Sequence, residues 1–290
     1  MSTESLGAMA LPTPQLRTGR AIASHVFFYL LIDILISVSP FRRKVDRWFY
    51  VDGPQQTKEA RRTRAQFAMR VVGYVFLTLM LASLIAAPHA CPLHFLPQFP
   101  RAIKVLLSPS LRADPLYATD ANSEMMIAVT AAYFVYDILI CFVRFRASGG
   151  MPFLAHGLIS GSAFLYSART HKLQYFGGMV LLWEASTPLL YARWMMLKSR
   201  RHESRWMPLV NYAFMTLFFL VRIVWAPMVY RTFFNAVGED QALHPERAMS
   251  KFTSNLFWVG FIIMGSLNLY WFSMMVRAAA GRSHDKHKAV

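Results

Sequence analysis

Charge is what this sequence has least of. Only 16% of its 290 residues are Asp, Glu, Lys or Arg, against about 25% in an ordinary soluble domain. Hydrophobic residues make up 55%, so the polar residues needed to cover one soluble core are missing. That excludes a soluble globular domain. Acid is scarcer still, with 15 Asp and Glu against 31 Lys and Arg and a net charge of +16. A basic excess can serve nucleic acid or loops facing anionic lipid. Here the cations sit between apolar blocks and form no patch with interleaved aromatics, so nucleic acid is not an expected partner. There are two cysteines, Cys91 and Cys141, with no metal-ligand spacing and no disulfide framework. No metal and no cofactor is expected. No N-x-S/T sequon occurs, and no internal repeat is visible, which counts against transporters built from inverted repeats.

What is abundant is apolar sequence in long blocks. Crossing about 30 Å of hydrocarbon takes roughly 20 residues at 1.5 Å rise each. Blocks at 22–38, 66–87, 124–143, 152–166, 173–191, 207–229 and 253–276 fit that length. The fourth is short enough to be re-entrant. The first follows Arg17 and Arg20 but contains Asp33 and runs into RRKVDR without a cleavage pattern, so it reads as a retained helix. The expected fold is all-α, a polytopic transmembrane bundle of about seven spans. It divides into an N-terminal tail (1–21), a first span with a basic cytoplasmic loop (22–64), a helical membrane domain (65–276) and a basic tail (277–290). The 88–123 loop, rich in Pro, Leu and Phe, is expected as an irregular or interfacial cover on the luminal face.

Loop charge sets the orientation. With seven spans, one set of loops carries 19 Lys and Arg and the other carries 10. The richer side faces the cytosol. This places the N-terminus in the lumen and the C-terminus in the cytosol; six spans would scramble the asymmetry. The chain ends Lys286-His287-Lys288-Ala289-Val290. That ending resembles the K-x-K-x-x retrieval signal of endoplasmic reticulum membrane proteins, or is simply a solvated basic tail.

An ionisable side chain in hydrocarbon costs about 2.5–3.5 kcal/mol on insertion scales, so each one needs a reason. Asp33, Arg70, Asp137, His156, Glu184 and Arg222 are such residues, and Asn268 is a costly neutral companion. Asp33, Asp137, His156, Glu184 and Asn268 fall about 6–12 Å below the cytoplasmic boundary at 1.5 Å per residue. Polar groups from five spans at one level predict a water-accessible cavity open to the cytosol. Arg222 lies deeper, able to snorkel or to pair with an acid. His156 and Ser160 share a helix face, as do Tyr133 and Asp137, and Glu184 and Thr187. Pro188 removes the helix hydrogen bond to the Glu184 carbonyl, which predicts a kink beside the acid. The plainer readings are packing for His156, headgroup contact for Asp33, snorkelling for Arg70, interface belts for Trp194, Trp206 and Trp225, and a structural ion pair or hydrogen bond for Asp137 and Glu184.

The segments AAYFVYDILI, FLAHGLIS, LLWEASTPLLYARWMM, FFLVRIVW and SLNLYWFSMM, in that order, resemble the TLC domain. That homology is shared by translocating-chain-associated proteins, ceramide synthases and a neuronal-ceroid-lipofuscinosis protein. The likeness covers about 123–276 and is closest to the small TLC domain-containing group. It places Asp137 on the family's span acid and His156 on one member of a His pair. Glu184, Thr187, Pro188, Arg193 and Trp194 fall on the E-S/T-P-RW segment, and Arg222 on the arginine of the V-R-I span. Two departures weigh against ceramide synthase chemistry: Gly157 replaces the second histidine, and Glu184-Ala-Ser-Thr stands where that branch carries paired aspartates.

The resemblance implies lipid handling or membrane lipid homeostasis in the endoplasmic reticulum, without established catalysis. A lipid or acyl chain would place its polar head against Asp137, His156, Ser160, Glu184, Thr187, Arg222 and Asn268. One alternative is an acyl-CoA-dependent acyltransferase with His156 as base, oriented by Glu184. Another is a transporter or proton-coupled carrier using the same layer.

Overall fold

The computed structural model describes residues 14–38, 41–49, 58–78, 98–199, 201 and 203–288. They are predominantly helical, with no strand among the described residues. The helices are α1 (Pro14–Val38), α2 (Phe41–Trp48), α3 (Lys58–Thr78), α4 (Gln98–Leu107), α5 (Pro109–Ala113), α6 (Ala121–Val143), α7 (Phe145–Ser148), α8 (Met151–Thr170), α9 (Gln174–Leu181), α10 (Thr187–Lys198), α11 (Trp206–Phe218), α12 (Trp225–Leu243) and α13 (Lys251–Lys288). A 3₁₀ segment, Leu182–Ser186, joins α9 to α10, and a π-helical segment, Phe219–Val224, joins α11 to α12.

By length and composition, four helical stretches can cross a membrane: Thr18–Ser37, Ala121–Val143, Trp206–Leu243 and Lys251–Ala280. Their polarity runs opposite to that of a soluble bundle. Phe27, Phe142, Tyr212 and Phe252 are each about 70% exposed, while Asp33, Arg101 and Asn268 are buried. Apolar groups outside and polar groups inside are what lipid as solvent selects. The fourth block is a continuous 20-residue helix, α8. The second block is helical to residue 78, and 79–87 lies outside the described residues.

Helix α6 forms the centre. Its start is fixed by a capping box: Asp120 accepts from the Ser123 amide at 2.6 Å, and the Ser123 hydroxyl accepts from the Asp120 amide at 3.0 Å, satisfying amides a helix start leaves open. It packs between α1, α4 and α8 in one apolar core, while α9, α12 and α13 share a second. The chain reverses from α6 into α8 through Gly149 and Gly150, both at positive φ. Only glycine adopts such angles without strain. At the far end of α8, His171 also has positive φ, and its ring contacts Glu124 at 2.7 Å.

Two expectations are corrected here. The described part of the 88–123 loop is a packed helical element and not an irregular cover. Arg101, Ala102, Val105 and Leu111 of α4 and α5 are buried, and the packing partners of α4 are α6 and α9. A run that interrupts apolar periodicity with Pro and Phe hid an amphipathic turn facing the bundle. The second concerns Asp33, for which headgroup contact is the plainer of two readings: it is buried. It takes both guanidinium nitrogens of Arg144, at 2.9 and 2.6 Å, and the Tyr136 hydroxyl at 3.0 Å. A bidentate charge-assisted pair outweighs exposure for a carboxylate one turn from the interface.

Candidate functional site

Two backbone irregularities stand side by side in the bundle. Pro188 has no N–H for the Glu184 carbonyl; the Thr187 amide reaches that carbonyl instead, tightening the turn to 3₁₀ geometry. The expected kink is thus a short change of helix type that turns Glu184 inward. Opposite it, the π segment Phe219–Val224 inserts one residue per turn and swings Arg222 into the bundle, where it is 6% exposed. Such bulges recur at functional sites.

The two side chains meet. Arg222 Nη2 donates to Glu184 Oε1 at 2.8 Å, and Thr187 Oγ1 donates to Glu184 Oε2 at 2.6 Å. The rest of the guanidinium is used as well: Nε donates to the Trp183 carbonyl at 3.0 Å and Nη1 to Asn268 Oδ1 at 3.4 Å. His156 Nε2 lies 3.6 Å from Glu184 Oε1, beyond ordinary hydrogen-bond reach. Its ring packs edge-on to Phe134 and Trp271. Four sequence-selected residues, Glu184, Thr187, Arg222 and Asn268, are therefore joined, and His156 adjoins them. Three buried nitrogens beside the ion pair have no hydrogen-bond partner among the described residues: His156 Nδ1, Trp183 Nε1 and Asn268 Nδ2.

An apolar cavity of about 470 Å³ lies against this cluster, between α8, α9 and α13, within the 300–1,000 Å³ range of small-molecule sites. Its walls include Ile159, Ala163, Phe176, Phe257 and Met264, with Ser160 and Trp183 at the inner end. The register places the polar cluster one turn further in. Ser160 is one turn from His156 on α8, and Met264 one turn from Asn268 on α13. Trp183 belongs to both, since it lines the cavity and its carbonyl holds Arg222. The sequence reading missed Trp183; its place beside Glu184 in the E-A-S-T-P segment was the available signal.

Asp137 stands apart from the ion pair. It accepts a long contact from the Cys141 thiol at 3.8 Å, and no cation lies within ion-pair distance among the described residues. Its Oδ2 faces Gly157, where an added Cβ would sit 2.9 Å from it. One turn on, a Cβ at Gly161 would meet Ile138 Cδ1 at 2.7 Å. Gly157 and Gly161 thus form a small-xxx-small contact that lets α8 close on α6. Gly157, where the resemblance would place the second histidine of the pair, is here a packing residue whose added Cβ would press on the Asp137 carboxylate. Arg70 lies away from the cluster. It lies half-buried under Trp194, 4.1 Å from its ring, with Nη1 on the Gln66 carbonyl. Trp194 also packs on Phe49, and the Trp225 indole donates to the Met179 carbonyl at 3.1 Å; Trp206 is 55% exposed.

No solved structure matches the chain. It is 32% identical over 167 residues to "Topoisomerase I damage affected protein 4" of Saccharomyces cerevisiae, covering 56% of this chain and 57% of that one. It is 28% identical over 177 residues to an uncharacterised TLC domain-containing protein of Schizosaccharomyces pombe, covering 61% and 58%. With TLC domain-containing protein 4 of Homo sapiens it shares 24% over 178 residues, covering 61% and 65%. The match spans less than two thirds of each relative's length. The TLC domain profile covers residues 66–277, the stretch that contains α6, the ion pair and the cavity. The chain is an α-helical membrane protein and belongs to the TLC-domain family.

Proposed function

We propose that this protein binds a membrane lipid, with the acyl chain in the cavity between α8, α9 and α13 and the polar end against the Glu184–Arg222 cluster. The protein acts in lipid handling and not as an acyltransferase. The observation that carries the reading is the junction at Trp183: this residue lines an apolar space of lipid-chain character, and its carbonyl holds Arg222 of the ion pair. Within the cluster the buried N–H groups of Trp183 and Asn268 have no partner among the described residues; an unmade buried hydrogen bond costs about 1–3 kcal/mol, which favours a head that brings an ester, amide or hydroxyl oxygen. Glu184 and Arg222 cancel in charge, which favours a head without net charge at that point. In this reading the chain crosses the endoplasmic reticulum membrane about seven times, with a luminal N-terminus and a cytosolic C-terminus. Incubating the purified protein with labelled acyl-CoA and long-chain bases tests it. No transfer product is expected, with lipid retained through purification. Product formed by the native protein and lost in His156→Ala would establish the acyltransferase instead.

One observation favours a second reading, a carrier. Interrupted helices facing each other at an ion pair are a transporter device, and the 3₁₀ and π segments meet at Glu184 and Arg222. Uptake into proteoliposomes driven by a pH gradient would support it; its absence leaves the binding reading.

A further inference from the structure

The end of the bundle that carries α2 and the first turns of α3 has more cations than it can pair. Its acids among the described residues are already taken. Asp33 is held by Arg144, Asp46 by Arg64 at 2.7 Å, and Glu59 by Lys198 at 3.8 Å. Arg43, Arg47, Arg61, Arg62 and Arg146 remain, all exposed and with no carboxylate within 4 Å among the described residues. Helix α2 is not loose. The Asp46–Arg64 pair is buried, Val45 and Phe49 are buried beside it, and Phe49 packs edge-on to Phe67 and Trp194. The pinned face leaves Arg43, Arg47 and a 60% exposed Trp48 outward.

We propose that this surface is a docking site for anionic lipid headgroups of the adjacent leaflet. Two features select lipid over a soluble phosphate compound. Phe142 and Val143, each 74% exposed, end α6 one turn before Arg146, so hydrocarbon reaches to just beneath the arginines. Trp48 beside Arg47 is the indole–cation pairing that sits at headgroup level. Guanidinium groups bind phosphate oxygens in bidentate fashion, and each cation near an anionic surface contributes about 1 kcal/mol. The surface is distinct from the cavity and does not depend on what the cavity holds.

The full chain is reconstituted with phosphatidylcholine alone or mixed with phosphatidylserine, and the lipid bound after gentle extraction is measured by native mass spectrometry. Phosphatidylserine is expected to be enriched around the protein, and salt should reduce the enrichment. Arg43→Gln/Arg47→Gln/Arg61→Gln/Arg62→Gln is expected to lower it about tenfold or more. Lys104→Gln/Arg112→Gln/Arg231→Gln/Lys251→Gln removes the same number of exposed cations elsewhere and should leave it unchanged, with circular dichroism matched throughout. Equal loss in both variants, or no loss in either, overturns the proposal. So does displacement of the lipid by soluble adenosine 3′,5′-bisphosphate at equal phosphate concentration, which would make the site one for a free phosphate compound.

Discussion

Glu184 and Arg222 are the residues on which the interior turns. Removing one partner of a buried pair leaves an uncompensated charge and costs about 3–5 kcal/mol, whereas replacing both with apolar groups of similar volume is often close to neutral. Glu184→Gln and Arg222→Met should each lower the melting temperature sharply in detergent. The double change Glu184→Leu/Arg222→Met should recover much of the loss while lipid retention stays low. Gly157 gives a second prediction. Restoring a histidine there puts a side chain onto Asp137 and Ile138, and overpacking of this kind costs about 1–3 kcal/mol. Gly157→His should be less stable and gain no transferase activity; a stable, active variant would mean that α6 and α8 yield more than their contact suggests. Much at this scale was legible beforehand. Charged and amide residues inside apolar blocks announce themselves by cost, and Thr187 follows from its spacing to Glu184, so Glu184, Thr187, Arg222 and Asn268 could be selected from sequence, and the structure joins them. The pairing of Asp33 with Arg144 could not be read, because 111 residues separate them and one turn of depth is compatible with either headgroup or protein. Asp137 was grouped with the others by depth, yet rotation about α6 turns it to Gly157.

Elements were legible where apolar periodicity was long and unbroken, as in α1, α6 and α13. They were illegible where Pro and Phe interrupt it. Helix α4 reads as a cover but behaves as core, and this separates two outcomes. Val105 is fully buried and Leu107 69% exposed. Val105→Asp places a charge among α6 and α9 and should prevent recovery of folded protein, since an unpaired buried charge costs several kcal/mol. Leu107→Asp should be tolerated. Equal tolerance of both, read by size-exclusion chromatography in detergent, would return α4 to the surface. The break between α9 and α10 makes a matching prediction. Pro188→Ala supplies the N–H that the Glu184 carbonyl lacks in α-geometry. The variant should be as stable as the native chain or more so, with weaker lipid retention as Glu184 turns from Arg222.

For the whole molecule, composition and block length set the class. The TLC-domain assignment agrees with them, while the number of crossings rests on loop charge. The structure supplies what one-dimensional reading lacked: Glu184, Thr187, Arg222 and Asn268 of the polar level are bonded to one another beside an apolar space. Topology is open to direct check. Single cysteines introduced near the two ends of α13 should label from opposite sides of sealed vesicles, with the end near 277 accessible from the cytosol.

The lipid site itself is tested most directly by filling it. Ala163 lines the cavity on α8, away from the ion pair, so Ala163→Trp should occupy the space with little change in the cluster. Native mass spectrometry of the delipidated protein should show one retained lipid on the native chain and none on Ala163→Trp at a matched melting temperature. The same lipid on both, or on neither, would contradict a chain seated between α8, α9 and α13.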